Sequence, residues 1–174
     1  MGSDVMEQTK VLIREKNAYQ DVKITSLNKP EITKEIQEKW QKIIDATAKI
    51  INVPAGLIMR ITKENMEVFL RSANKENPYP KTGKDSLGHG LYCETVIGKD
   101  EPMIVENALS SEVWKDNPDI KLNMISYFGL PIKWHDGEFF GTICVLDKKE
   151  KQFSEDYQKI LHLFKEAIET DLYN

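Results

Sequence analysis

Cys93 is the residue of this sequence best placed to do chemistry. It stands early in the run Leu91–Ile97, just after Gly88-His89-Gly90. A thiol in the first turn of a helix can have a lowered pKa and act as a ligand-attachment or redox centre. The plainer reading is a small apolar side chain packed in that helix, the usual fate of a buried cysteine. Cys144, between Ile143 and Val145, reads still more plainly as strand packing. His89 lies four residues before Cys93 and shares its face on a continuous helix. A zinc or haem site can start from such a pair, yet zinc takes three or four ligands at familiar spacing. His135 and His162 have no CxxC or HxxxH beside them, so no metal site is expected. Between two glycines, His89 fits a solvated loop or a donor on a pocket rim.

Arg60 interrupts an apolar run, after Leu57-Ile58-Met59 and before Ile61. Turned inward, its guanidinium would clamp a carboxylate or phosphate with two parallel hydrogen bonds. At an exposed strand end it is a surface charge, which the pattern favours. Tyr92, Trp114, Tyr127, Phe128 and Trp134 supply aromatic walls with a few polar tips, which suit a compact organic ligand and equally suit a core. Alternation sets Ser126, Phe128, Leu130, Ile132 and Trp134 on one strand face and Tyr127, Gly129, Pro131 and Lys133 on the other. It does not choose the face that meets a pocket. No G-x-S-x-G, H-E-x-x-H or phosphate-cradling glycine loop occurs, and no Cys-His pair has an evident orienting partner. No catalytic residue is assigned.

The elements that must hold these residues follow from periodicity. The chain has 174 residues, enough for one domain with a real core. Lys and Arg number 24 against 28 Asp and Glu, a net charge of −4, which lacks the basic footprint of a nucleic-acid binder. Two cysteines make no disulfide framework. No signal peptide and no apolar stretch of membrane-spanning length is visible, so a reducing, cytoplasmic setting is expected, with no membrane partner. Val5–Tyr19 reads as a polar helix with a thin apolar stripe. Asn28-Lys29-Pro30 opens a second helix, on which Ile32, Ile36, Trp40, Ile43, Ile44, Thr47, Ile50 and Ile51 share one face. Ala55–Thr62 and Met66–Ala73 form one hairpin, and Ser126–Trp134 and Glu138–Asp147 another, turned at His135-Asp136-Gly137. Between them lie a polar loop (Asn74–Asp85), a short helix at Leu91–Ile97, a strand at Pro102–Glu106 and an irregular stretch to Leu122. A last helix starts at the N-cap Ser154, carrying Tyr157, Ile160, Leu161, Phe164, Ala167, Ile168 and Leu172. Hairpins rather than βαβ units make this an α+β domain with an antiparallel sheet. Residues 1–29 are expected to be a terminal helix and linker, and 30–174 the domain.

Four pieces of that domain resemble bacterial sensory GAF domains: Gly90-Leu91-Tyr92-Cys93-Glu94-Thr95-Val96, Trp114-Lys115-Asp116-Asn117-Pro118, Ser126-Tyr127-Phe128-Gly129-Leu130-Pro131-Ile132, and Asp136 through Asp147. The resemblance implies a PAS- and profilin-like sheet of five or six antiparallel strands, with long helices on one face. On the other it implies a small-molecule pocket roofed by the Asn74–Leu122 connections. On that footing the expected ligand contacts are Tyr92, Cys93, Trp114, Ser126, Phe128, Arg60 and His89. No cofactor is named beyond an unidentified small molecule. Such domains serve as input modules of histidine kinases, diguanylate cyclases and related regulators, and pair through their terminal helices. A homodimer and a fused output domain are therefore expected; a chain ending at Asn174 looks like an excised input domain or a short stand-alone protein. The N-K-F-D-E signature of cyclic-nucleotide binders is absent, as is the cysteine-histidine context of bilin attachment. The free methionine sulfoxide reductases of the family use several cysteines around the pocket. A thiol-dependent enzyme using Cys93 is thus the alternative, beside a structural dimerisation domain with a vestigial pocket.

Overall fold

Thr33 and Asn52 fix the ends of the first helix, α1, Lys34–Ile51. The Thr33 hydroxyl accepts the Ile36 N–H at 3.2 Å from an extended backbone, as an N-cap does. Asn52 stops the helix in the left-handed region, at φ 60°, and returns its N–H to Ala48 O. The helix begins later than Pro30 suggests, and Ile32 precedes it. The preceding residues are tied instead to the second hairpin: Thr25 N–H donates to Phe139 O at 3.0 Å, Phe139 N–H to Lys23 O at 2.7 Å, and Lys29 pairs with Asp136 and Glu138. The structure is a computed structural model that describes residues 22–173. The helix expected at Val5–Tyr19 lies outside those residues.

Six strands form one sheet: β1 Ala55–Ile61, β2 Asn65–Arg71, β3 Lys84–Ser86, β4 Met103–Val105, β5 Ser126–Lys133 and β6 Phe139–Asp147. Their order is β3-β2-β1-β6-β5-β4, and every neighbouring pair is antiparallel. Both hairpins are where the alternation and the Asp-Gly turn put them. β3 is an addition, inside the stretch read as a polar loop. All three of its residues are exposed on the sheet edge, so no apolar pattern announces it.

α1 and α3 (Glu155–Asp171) cover one sheet face. There Trp40, Ile44, Ile51, Leu161 and Ile168 pack on Ile58, Phe128, Leu130, Ile132, Phe140 and Ile143. Trp40 Nε1 donates to Asp171 Oδ2 at 2.9 Å and so ties the two helices together. α2 (Tyr92–Lys99) and the long connections roof the other face. With both faces covered, all nine residues of β6 are buried. Two bulges adjust the register. One lies between Ile58 and Met59 against β2; the other pairs Phe139 with Lys133 and Gly141 with Ile132, leaving Phe140 unpaired and turned into the helix layer.

Candidate ligand site beneath the roof

The roof has little regular structure, so side-chain hydrogen bonds hold it. Glu94, the third residue of α2, is buried and reaches back over the loop before the helix. Its carboxylate accepts the Gly88 N–H at 2.5 Å and the Leu91 N–H at 3.4 Å. Gly88 and Gly90 adopt φ of 92° and 81°, which curls this backbone around the carboxylate. Burial pushes the Glu94 pKa up and the surrounding N–H groups pull it back. The glycine loop therefore binds an anion of its own chain. Glu94→Ala is expected to cost about 1–3 kcal/mol by stranding partly buried donors. Amide exchange at 88–91 should accelerate with it, and unchanged exchange there would contradict this role.

Under that loop lies a cavity of about 20 Å³, lined by Leu57, Met59, Met66, Val68, Tyr79, Asp85, Leu91, Cys93, Asp119, Tyr127, Cys144 and Leu146. That is room for about one water. Tyr127 stacks on Tyr92 with ring centres 4.7 Å apart, and Tyr92 leans on Trp114 at 5.1 Å. The Tyr127 hydroxyl lies 3.2 Å from Cys93 Sγ, and Cys93 Sγ lies 3.7 Å from Cys144 Sγ. Burial pushes the Tyr127 phenol and the Cys144 thiol well up, which keeps both neutral near pH 7. On the other wall Tyr79 Oη donates to Asp119 Oδ1 at 2.8 Å. Asp119 is half-buried as a residue, and its carboxyl lines the inner cavity. Burial raises its pKa to about 6, opposed by the Tyr79 bond and reinforced by the charge of Asp85.

Outside this wall runs an open groove of about 650 Å³, lined by Asp85, Ser86, His89, Leu91, Lys115, Asp116, Asn117, Pro118, Ile120 and Lys121. Asp85 and Leu91 border both spaces. Between them stands one 3₁₀ turn, Pro118–Leu122, capped by Asn117, whose side chain accepts the Asp119 N–H at 2.9 Å. Asp119 faces in, while Pro118, Ile120 and Lys121 line the groove. The Tyr79–Asp119 bond latches this turn to the loop before β3.

The seven residues expected to meet a ligand do not converge. Cys93 lines the inner cavity and His89 the outer groove. Tyr92 and Trp114 are packed behind Tyr127; Tyr92 Oη donates to Met124 O at 3.0 Å. Phe128 lies in the helix-side core against Phe153, and Ser126 shares its strand face. Phe128 and Ser126 are therefore corrected out of the roof compartment: Tyr127, not Phe128, turns towards it. Arg60 alternates with Met59 and Ile61 away from the cavity, pairs with its cross-strand neighbour Glu67, and stacks 4.8 Å over Phe69 at the sheet margin. Tyr79, Asp119, Glu94, Met59 and Met66 were not singled out from sequence. Glu94 could have been, since Glu at the third position of a helix is a capping signal. Asp119 follows Asn117-Pro118, a helix-start pattern that gives no hint of an inward carboxylate. Among the described residues no group of three or more His, Cys, Asp or Glu is placed to hold a metal ion, and no helix is long and apolar enough to cross a membrane.

Solved structures share this architecture. The GAF domain of an Acinetobacter phosphoenolpyruvate-protein phosphotransferase superposes with a TM-score of 0.63 at 16% identity, over 97% of this chain and 92% of that one. A type II free methionine-R-sulfoxide reductase from Thermoplasma acidophilum gives 0.65 at 13%, over 82% and 96%. The blue-light absorbing form of the Thermosynechococcus elongatus PixJ GAF domain gives 0.61 at 10%, over 80% and 90%. At such identities the likeness is one of fold. No curated protein matches the sequence. The family model of the GAF domain does match, across residues 33–169. With most of its length matched and with the helix-backed sheet and roof of that fold, the chain belongs to the GAF domain family, a small-molecule-binding sensory fold.

Proposed function

We propose that this GAF domain is a non-catalytic regulatory module of signal transduction. It binds a small molecule beneath the roof and passes the change through its terminal helices to a fused output domain. The observation that carries this reading is the single latched turn, Pro118–Leu122, between the 650 Å³ groove and the small inner cavity. Withdrawing that turn merges the two into a pocket of ligand size. The closed arrangement is then the resting state, and a ligand shifts the population by its preference for the open one. Asp85 and Asp119 line the inner cavity and no basic residue does, so the ligand is uncharged or cationic where it enters.

Transmission follows β5. Tyr127 faces the cavity, and its neighbour Phe128 packs at 5.5 Å on Phe153 at the approach to α3. At the strand end the Lys133 N–H donates to Glu169 of α3 at 2.8 Å. Exposed Leu163 on α3 and Ile50 on α1 support pairing with a second copy along the helices.

A second reading, a thiol-dependent enzyme using Cys93, is favoured by the Cys93–Cys144 contact. Against it stands the cysteine count: the chain has Cys93 and Cys144 alone, where the free methionine sulfoxide reductases use several around the pocket. Native mass spectrometry of freshly purified protein tests the first reading, followed by a melting-temperature screen of neutral, cationic and anionic metabolites. A bound or stabilising neutral or cationic compound is expected. An empty protein that no compound stabilises would overturn the sensor reading in favour of a scaffold. Turnover of free methionine sulfoxide, lost in Cys93→Ser, would replace it with the enzyme.

A further inference from the structure

The only two cysteines of the chain, 51 positions apart, meet under the roof with their sulfurs 3.7 Å apart. Nothing in the proposed ligand response requires this contact. Both cysteines border a space of about 20 Å³, otherwise walled largely by Leu57, Met59, Met66, Val68 and Leu146. The two sulfurs differ in setting. Cys93 is the second residue of α2, and the Tyr127 hydroxyl at 3.2 Å can donate to its sulfur. Cys144 sits mid-strand in β6, fully buried. A sulfur–sulfur bond needs about 2.0 Å, so side-chain rotation with a small approach of α2 to β6 closes the gap.

We propose that Cys93 and Cys144 form a dithiol oxidation site for small hydroperoxides, with Cys93 as the attacking sulfur and Cys144 as the resolving one. The cavity selects the oxidant by size: hydrogen peroxide, with two heavy atoms, approaches the dimensions of one water, whereas a peptide disulfide such as oxidised glutathione is far too large. In the first step Cys93 sulfur takes one peroxide oxygen, the O–O bond breaks, and the departing hydroxide leaves as water with the thiol proton. Cys93 is then a sulfenic acid. In the second step Cys144 sulfur attacks Cys93 sulfur and the S–O bond breaks. The hydroxyl leaves as a second water with the Cys144 proton. Two thiols are oxidised to one disulfide and one peroxide is reduced to two waters. An added dithiol reverses the bridge by exchange. The bridge draws α2 onto β6 at the cavity that Tyr127 and Asp119 share, which couples the oxidation state to the roof.

The test treats the intact protein with hydrogen peroxide, denatures it, alkylates free thiols and measures mass. The expected result is loss of two hydrogens, loss of both alkylatable thiols, and a linked pair of peptides holding Cys93 and Cys144, all restored when dithiothreitol is added to the denatured protein before alkylation. Oxidised glutathione at equal concentration should act much more slowly. Cys93→Ser should abolish the reaction, and Cys144→Ala should leave a sulfenic acid that dimedone traps. If Cys144→Ala fails to fold, the mass of the unaltered protein still decides. Two thiols that stay alkylatable would overturn the proposal. So would a bridge between two chains, a Cys93 sulfinic acid formed without bridging, or oxygen gained only at Met59 and Met66.

Discussion

Gly141→Ala is expected to prevent stable folding, or to cost about 3 kcal/mol or more if the domain still folds. A Cβ at position 141 would stand 1.8 Å from Met59 O, 2.6 Å from Met59 C and 2.8 Å from Arg60 Cα. All three atoms are backbone of β1, the partner strand of β6 at the centre of the sheet. No side chain can swing away to make room. Relief requires β1 and β6 to separate, and the cores on both sheet faces separate with them. The cause is local. The bulge that turns Phe140 into the helix layer presses the following residue against β1, and only a residue without a side chain fits. Gly129→Ala is the milder counterpart, because its Cβ would meet the Tyr127 hydroxyl at 2.0 Å, the tip of a side chain. That ring has to leave Cys93 and Tyr92, so the damage falls on the roof. Denaturant unfolding of the two variants separates the cases. A loss below about 1 kcal/mol in Gly141→Ala, against a total of the usual 5–15 kcal/mol, would mean that β1 and β6 yield far more readily than their register suggests.

Residues 126–147 show what was legible and what was not. Alternation and the Asp-Gly turn define the hairpin, and the same alternation correctly sets Tyr127 and Phe128 on opposite faces. Choosing the face that meets the cavity needed the position of α2, which strand periodicity does not encode. With the sheet covered on both sides, both faces of β5 are apolar, and Phe128 looks as good a pocket wall as Tyr127. The Cys93–Cys144 contact was illegible for a related reason: it depends on the packing of α2 on β6, a contact between distant segments. Tyr79 and Asp119 lie in loops without apolar periodicity, so only their meeting across 40 positions gives either a role. Arg60 was the opposite case. A charge within an apolar strand suggested two orientations, and its cross-strand neighbour Glu67 accounts for the one observed.

The Tyr79–Asp119 latch leads to two variants with opposite effects. The Asp119 pKa is raised from 3.8 to about 6 by burial. Between those values the folded state holds a proton that the unfolded state has lost. The stability linked to this group is therefore complete below about pH 4, falls as pH rises towards about 6, and stays low above it. Asp119→Asn keeps an oxygen to accept the Tyr79 hydroxyl and removes the charge. It is expected to stabilise the domain by about 1–2 kcal/mol at pH 8, after allowance for the part-exposed position, and by little at pH 4. Tyr79→Phe leaves the inward carboxyl without its donor and is expected to cost about 1–3 kcal/mol at pH 8. Amide exchange across 118–124 should slow in the first variant and quicken in the second. Because apparent affinity scales with the fraction of open protein, any ligand that needs the turn withdrawn should bind more weakly to Asp119→Asn than to the parent at pH 8. Unfolding curves recorded from pH 4 to 8 decide the matter. A stability difference between Asp119→Asn and the parent that stays constant over that range would mean that the carboxyl already reaches water at rest, and the turn would then be no barrier between groove and cavity.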